Sequence, residues 1–213
     1  MMSISLRSAS SKQATARVTD LGGRQVVMVR VVGGLDRGAL TPEDAQVLET
    51  AFRTACDKKI PIIGILSTSG VSIHDGVASV VGWGRAAREL VRASGSVPIL
   101  MVACGPVVSG PALLLGLADL AIFTADAYAF VSGPHMVEAF TGVPISANDL
   151  GGASAHARSS GVASLIADDE DAAIELLGDI LAYLPDHVDQ PPYAIETDDP
   201  ADRATEIAAT TIP

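Results

Sequence analysis

Ile60-Pro61-Ile62-Ile63-Gly64-Ile65-Leu66-Ser67-Thr68-Ser69-Gly70-Val71-Ser72-Ile73-His74-Asp75-Gly76 is the stretch whose reading decides the fold. Its first half, Ile60–Leu66, is an apolar, β-branched run with no polar alternation. That is the pattern of a strand buried on both faces. Its second half, 67–76, is rich in serine and glycine and reads as a loop. Val77–Ala93 then has helical character. The same order follows again: a strand over Val97–Ala103, a loop over Gly105–Gly110, and a short apolar helix over Pro111–Leu117. Strands alternating with helices argue an α/β fold whose sheet is covered on both sides.

Upstream, Ala14–Asp20 and Gln25–Val31 flank Gly22-Gly23, a hairpin signature. Thr41-Pro42-Glu43-Asp44 opens a helix that runs to about Lys58: a capping residue, a proline in the first turn, and acids facing the helix dipole. Downstream, Leu120–Thr124 and Tyr128–Val131 read as strands, Val162–Ile166 as a short strand, and Asp168–Leu184 as a capped helix. The expected organisation is a flexible arm over 1–13, a single domain over 14–185, and an extended polar, proline-bearing tail over 186–213.

The chain has 213 residues, 48% of them hydrophobic, enough for one well-packed domain. Its net charge of −11 and aromatic content of 4% make nucleic acid and anionic membranes poor partners. Arg85, Arg88 and Arg92 share a helix face and could form a local basic patch, although a solvated face explains them as well. Cys56 and Cys104 lie in apolar surroundings without metal-ligand spacing and read as buried reduced thiols. No metal site is expected, no leader is evident over the polar first residues, and the cytoplasm is the expected compartment. Trp83, Val77, Val80, Val81 and Gly84 read as a helix-packing stripe.

The two loops after strands stand out, because ligands in such sheets bind at the carboxyl ends of strands. Ser67–Ser72 and Gly105–Gly110 can each present backbone N–H groups, and two such loops facing each other form a pocket for negative charge developing on a carbonyl oxygen. Glycine lets a thioester approach. Two ordinary tight turns would have the same composition.

Further motifs resemble one family. Gly133-Pro134-His135-Met136-Val137-Glu138-Ala139-Phe140-Thr141-Gly142 is similar to a GPxVVxxxTG pattern, Asp149-Leu150-Gly151-Gly152-Ala153 with His156 to ELGGAxxH, Ser160-Gly161-Val162-Ala163 to SGVA, and Tyr183-Leu184-Pro185 to SYLP. Asp199-Pro200-Ala201-Asp202-Arg203 completes the ordered set. Together they resemble the N-terminal domain of the β-subunit of biotin-dependent acyl-CoA carboxylases of the propionyl-CoA carboxylase type. The resemblance implies a crotonase-like (Clp protease/crotonase) spiral of ββα units. It implies an acyl-CoA-binding half of a carboxyltransferase that stabilises a thioester enolate, with carboxyl transfer from biotin on a carrier protein and no cofactor bound directly. It also implies a separate second-domain subunit, without which the chain is expected to be inactive, and a homo- or hetero-oligomer. The chain starts later than the family's β-subunit and stops where its second domain would begin, as a split subunit or a truncated one would.

By the same resemblance, the backbone of Gly70, Val71, Ser109 and Gly110 forms the oxyanion site. Ser69, Ser72, Gly105, Pro106, Gly133, Pro134, Gly151, Gly152 and His156 are expected around the substrate. The match departs at the loops. The family's DSGGAR is here Ser67-Thr68-Ser69-Gly70-Val71-Ser72, and one of its paired glycines is Ser109. Three alternatives therefore stand beside the carboxyltransferase. One is a subunit of a malonyl-type thioester decarboxylase. Another is a non-catalytic scaffold. The third is a serine hydrolase using Ser109 with His135 or His156 as base, against which Ser109 has a simpler role as a helix N-cap. His74, in the altered loop, reads as solvated.

Overall fold

A computed structural model describes residues 4–6, 11, 13–33, 37–191, 194, 196–198, 200 and 202. In chain order the elements are β1 (Ile4–Ser5), β2 (Ala14–Leu21), β3 (Arg24–Val31), α1 (Pro42–Lys58), β4 (Ile62–Thr68), α2 (Val77–Ala93) and β5 (Ile99–Val108). A 3-10 turn at Gly110–Ala112 leads into α3 (Leu113–Gly116). There follow β6 (Leu120–Thr124), β7 (Tyr128–Phe130), α4 (Pro134–Thr141), α5 (Ala147–Gly151), α6 (Ala153–Ala155), a π turn at His156–Ser160, β8 (Leu165–Ala167) and α7 (Glu170–Tyr183).

The hairpin forms where Gly22-Gly23 predicts it, with both glycines at positive φ and Ala14 paired with Val31. From β3 onward the sheet is parallel, in the order β3-β4-β5-β6-β8, with β7 on the far end of β5. Alternate residues of β4 serve opposite cores, which is why its sequence shows no polar face. Ile62 and Leu66 join Leu48, Phe52, Leu90 and Phe123 beneath α1 and α2. Ile63 and Ile65 join Leu100, Val102, Leu177 and Leu181 beneath α7. Each such side chain contributes about 1.5–3 kcal/mol on burial.

The start of α1 is fixed as expected. Thr41 Oγ1 accepts the Asp44 N–H at 3.2 Å, and the Asp44 carboxylate accepts the Thr41 N–H at 3.1 Å. Asp44 does more than cap. Its other oxygen accepts the N–H groups of Gln13 at 2.9 Å and Ala14 at 3.0 Å, so the helix start also anchors β2. Burial alone would raise the pKa of this carboxyl, but the Ala14, Gln13 and Thr41 amides outweigh burial and hold it below the ordinary value.

Several expectations change. β5 continues through Gly105 and Pro106 to Val108, where a loop was expected. The β4–β5 ladder shifts register between Leu66 and Thr68, and Pro106 falls in that interruption, so it has no partner on β4 and pairs with Tyr128 of β7. Helices α4 to α6 occupy a region read only as motifs. The valine stripe on α2 is not its packing face. Ser79, Ala86, Glu89, Leu90 and Ala93 are buried, and Val77, Val80 and Val81 are exposed. Arg88 and Arg92 pair with the buried Glu89. Cys56 and Cys104 are only partly buried. Part of the arm is tied down, since Ile4 and Ser5 pair with Val18 and Arg17. The start of the tail folds back: Asp186 pairs with Arg24, and the Val188 N–H donates to the Ser96 carbonyl at 2.9 Å. Of the Asp199–Arg203 motif, only Pro200 and Asp202 are among the described residues. No helix among the described residues is long and apolar enough to cross a membrane.

Candidate active site

Because β4 and β5 are parallel neighbours, their carboxyl ends lie at the same edge of the sheet, and the two singled-out loops emerge side by side. The first loop is shaped by the segment that precedes α1. The Ser69 N–H donates to the Arg37 carbonyl at 2.9 Å, the Leu40 N–H to the Gly70 carbonyl at 2.9 Å, and the Ser72 N–H to the Leu40 carbonyl at 2.8 Å. Thr68, 1% exposed, finishes the turn. Its hydroxyl donates to the Gly38 carbonyl at 2.6 Å and accepts the Gly70 N–H at 3.1 Å. Gly70 has φ +112, a backbone position that disfavours any side chain.

The second loop is held by β7. Pro106, Val107 and Val108 pair with Tyr128, Ala129 and Phe130, and the Ser109 N–H donates to the Phe130 carbonyl at 2.9 Å. Gly110 packs on the Trp83 indole, and a Cβ there would stand 3.2 Å from Trp83 Cε2. The neighbouring Trp83 Nε1 is buried without a hydrogen-bond partner among the described residues. The two loops touch: a Cβ on Gly70 would meet Ser109 Cβ at 3.0 Å.

These bonds divide the four expected oxyanion donors into two pairs. The N–H groups of Gly70 and Ser109 are engaged, by Thr68 Oγ1 and the Phe130 carbonyl, so neither is an open donor. That corrects the expectation for those two amides. The N–H groups of Val71 and Gly110 have no acceptor among the described residues. Each immediately follows a residue that packs across the gap between the loops. Donors without protein acceptors on two touching turns suit an anionic oxygen.

The remaining expected residues sort by position. Ser69 is exposed at the loop, and Ser72 is 8% exposed beneath it. Gly105 is a buried strand residue packed on Ser67, while Pro106 is exposed in the ladder interruption. Gly133 and Pro134 start α4, with Gly133 against the Phe130 ring. Gly151 and Gly152 end α5 beside β7, where Gly152 forms a bridge with Tyr128. His156 is tied into the same support. Its Nε2 is hydrogen-bonded to the Ala129 carbonyl at 2.8 Å, its Nδ1 to Ser160 Oγ at 2.7 Å, and its ring lies 5.2 Å from that of Phe123. With both nitrogens engaged, His156 steadies β7, which in turn holds Ser109. No hydrogen bond joins Ser109 Oγ to a histidine among the described residues, and His74 and His135 are exposed. Ser109 stands at the N-cap of the 3-10 turn as expected, where its carbonyl accepts the Ala112 N–H at 3.1 Å, but its side chain makes no capping bond.

Sequence reasoning missed two residues. Thr68 shapes the first loop, and its only signal was a hydroxyl at the end of a buried run. Trp83 floors the second loop from another element, a relation that no local pattern carries. Cys104, just behind, has its thiol pushed up to about 11, first by burial and then by Glu170, which leaves it a poor nucleophile.

Comparison with known proteins identifies the family and the fold. A model of the carboxyl transferase domain matches residues 18–213. The propionyl-CoA carboxylase carboxyltransferase subunit of Haloferax mediterranei is 32% identical over 172 residues, which are 80% of this chain and 33% of that protein. The methylmalonyl-CoA decarboxylase subunit alpha of Veillonella parvula is 32% identical over 168 residues, 78% of this chain and 33% of that protein. This chain thus spans about a third of the length of these curated relatives. Among solved structures, transcarboxylase 12S with hydrolysed methylmalonyl-coenzyme A bound superposes with a TM-score of 0.81 at 26% identity, over 88% of this chain and 37% of that one. The fold is that of the crotonase-like carboxyltransferases, as expected, and the chain belongs to the carboxyl transferase domain family.

Proposed function

We propose that this chain is the acyl-CoA-binding half of a carboxyltransferase, with the Val71 and Gly110 amides holding the oxygen of a thioester enolate. The observation that carries this reading is the pair of unengaged N–H groups on touching turns at the ends of adjacent parallel strands. Loss of the α-proton from the acyl group moves an electron pair onto the thioester oxygen, where the two amides receive it. The enolate carbon then forms its bond to the carbon of carbon dioxide. A pre-aimed donor of this kind contributes about 3 kcal/mol to the transition state. Biotin on a carrier protein would supply the carboxyl group and take up the α-proton, and no residue of this chain is assigned to it.

The other half of the site is proposed to come from a second-domain partner, as a separate chain or a further copy. Two exposed apolar faces support this. Ile73, Val77, Val80 and Val81 line the start of α2, and Val131, Met136, Phe140 and Val143 line α4, which buries no residue of its own. Such faces are the usual mark of an interface.

The test is reconstitution with a second-domain carboxyltransferase polypeptide and a biotinylated carrier. Labelled carboxyl should pass to acetyl-CoA or propionyl-CoA, and should not when this chain is omitted. A second reading is favoured by the likeness to the Veillonella decarboxylase subunit: the same enolate would form by loss of carbon dioxide from a malonyl-type thioester. Release of carbon dioxide from methylmalonyl-CoA, without net transfer to acetyl-CoA, would select it. Binding of the partner without either reaction would leave a scaffold.

A further inference from the structure

We infer that the Ser109 hydroxyl is a third donor to the oxygen held by the Val71 and Gly110 amides, which makes Ser109 a specificity-determining side chain of the site. The inference rests on the acyl-CoA reading above. It starts from the backbone. Ser109 has φ 63 and ψ −146, a region open essentially to glycine alone. Lys59, by contrast, sits at φ 55 and ψ 51, the ordinary left-handed region at a helix end. Ser109 is pinned in its conformation from both sides, since its N–H donates to the Phe130 carbonyl at 2.9 Å and its carbonyl accepts the Ala112 N–H at 3.1 Å. Glycine would take this backbone without strain, so the side chain is retained against a penalty.

Among the described residues nothing hydrogen-bonds to that side chain, and its hydroxyl caps no helix. It faces the gap between the two turns: a Cβ on Gly70 would lie 3.0 Å from Ser109 Cβ and 3.6 Å from its Oγ. Val71 follows Gly70 and Gly110 follows Ser109, and the inference is that this hydroxyl, beside Gly70 where the turns touch, reaches the oxygen that the two open amides hold. A hydroxyl can rotate its proton toward that oxygen. Three donors favour an oxygen bearing a full negative charge over a neutral carbonyl, and hence the enolate over the resting thioester.

The test compares S109A and S109G with the wild-type chain. The first readout is the infrared carbonyl band of bound acetyl-CoA carrying carbon-13 at the thioester carbon, which hydrogen bonding shifts to lower frequency. The band should move back toward its free position in both variants. In the reconstituted complex both should lose kcat by about 10- to 100-fold, the range for one hydrogen bond to a charged group, with KM changed by less than about threefold. S109G should also melt at higher temperature than the wild type, because the strain is relieved, while S109A should not. An unchanged band and rate in S109A would overturn the inference and leave the acyl-CoA reading intact. Faster turnover in S109G would also overturn it, showing the side chain to be an obstruction. A wild-type chain that takes up no acetyl-CoA, alone or with its partner, would overturn the acyl-CoA reading and the inference with it.

Discussion

At the scale of single residues, the proposed site depends first on backbone atoms, which Thr68 and Trp83 hold in place from behind. Gly110→Ala tests this most sharply. Its Cβ would press on the Trp83 ring at 3.2–3.4 Å, so the ring or the turn must yield by a few tenths of an ångström. Transfer to acyl-CoA should fall by tenfold or more, measured as kcat/KM, with the melting temperature little changed. Gly70→Ala carries a larger structural penalty, since φ +112 is strained for alanine and its Cβ would meet Ser109. A loss of about 1–3 kcal/mol in denaturant unfolding is expected. Asp44 is an acid-sensitive point of the fold. Its folded pKa lies below the ordinary 3.8. Its contribution is therefore complete above that value and is lost as pH falls through the lower folded value. Asp44→Asn should cost about 2 kcal/mol at neutral pH and flatten the acid limb of the stability curve. The capping role of Asp44 was legible from Thr41-Pro42-Glu43-Asp44. Its bonds to Gln13 and Ala14 were not, because they join residues 31 and 30 apart.

At the scale of elements, what could be read from the sequence was what local chemistry decides. An unbroken apolar run gives β4, a double glycine turns the β2–β3 hairpin, and a capping box starts α1. What was missed lay where one element's neighbour decides the outcome. Pro106 reads as a strand breaker, yet it sits in the register shift where β5 has no partner for it on β4, and β7 takes up the pairing. Helix α2 is apolar on two sides, and its sequence cannot say which one α1 covers. The face that includes Ser79, Ala86, Leu90 and Ala93 was chosen, and the valines were left out. Phe52, fully buried between α1 and the sheet, is the residue through which that packing is best measured. Phe52→Ala should destabilise the chain by about 3–5 kcal/mol, read from the shift in denaturant midpoint.

At the scale of the whole molecule, the sheet brings the two loops together at its carboxyl edge, proposed above as one half of a two-sided site, and two exposed apolar faces have no cover among the described residues. Phe140, 91% exposed on α4, is the most open of these side chains. Phe140→Ser should weaken assembly with the second-domain partner, or with further copies of this chain, seen as a lower mass in light scattering at equal concentration. The ordered motifs from Gly133 to Pro185 made the family legible, but their job was not. Gly151, Gly152 and His156 brace β7, which fixes Ser109, so they shape the site from behind it. The division between engaged and open amides was also beyond the sequence, since it depends on which way the Thr68 hydroxyl turns within its own loop and on Phe130 of β7 meeting Ser109. The most direct measurement of the central claim is calorimetric titration of the chain, alone and with its partner, using acetyl-CoA, propionyl-CoA and malonyl-CoA. The account predicts saturable binding of at least one of them, at one ligand per chain, weakened by Gly110→Ala. No heat of binding with any of the three, in either setting, would contradict it.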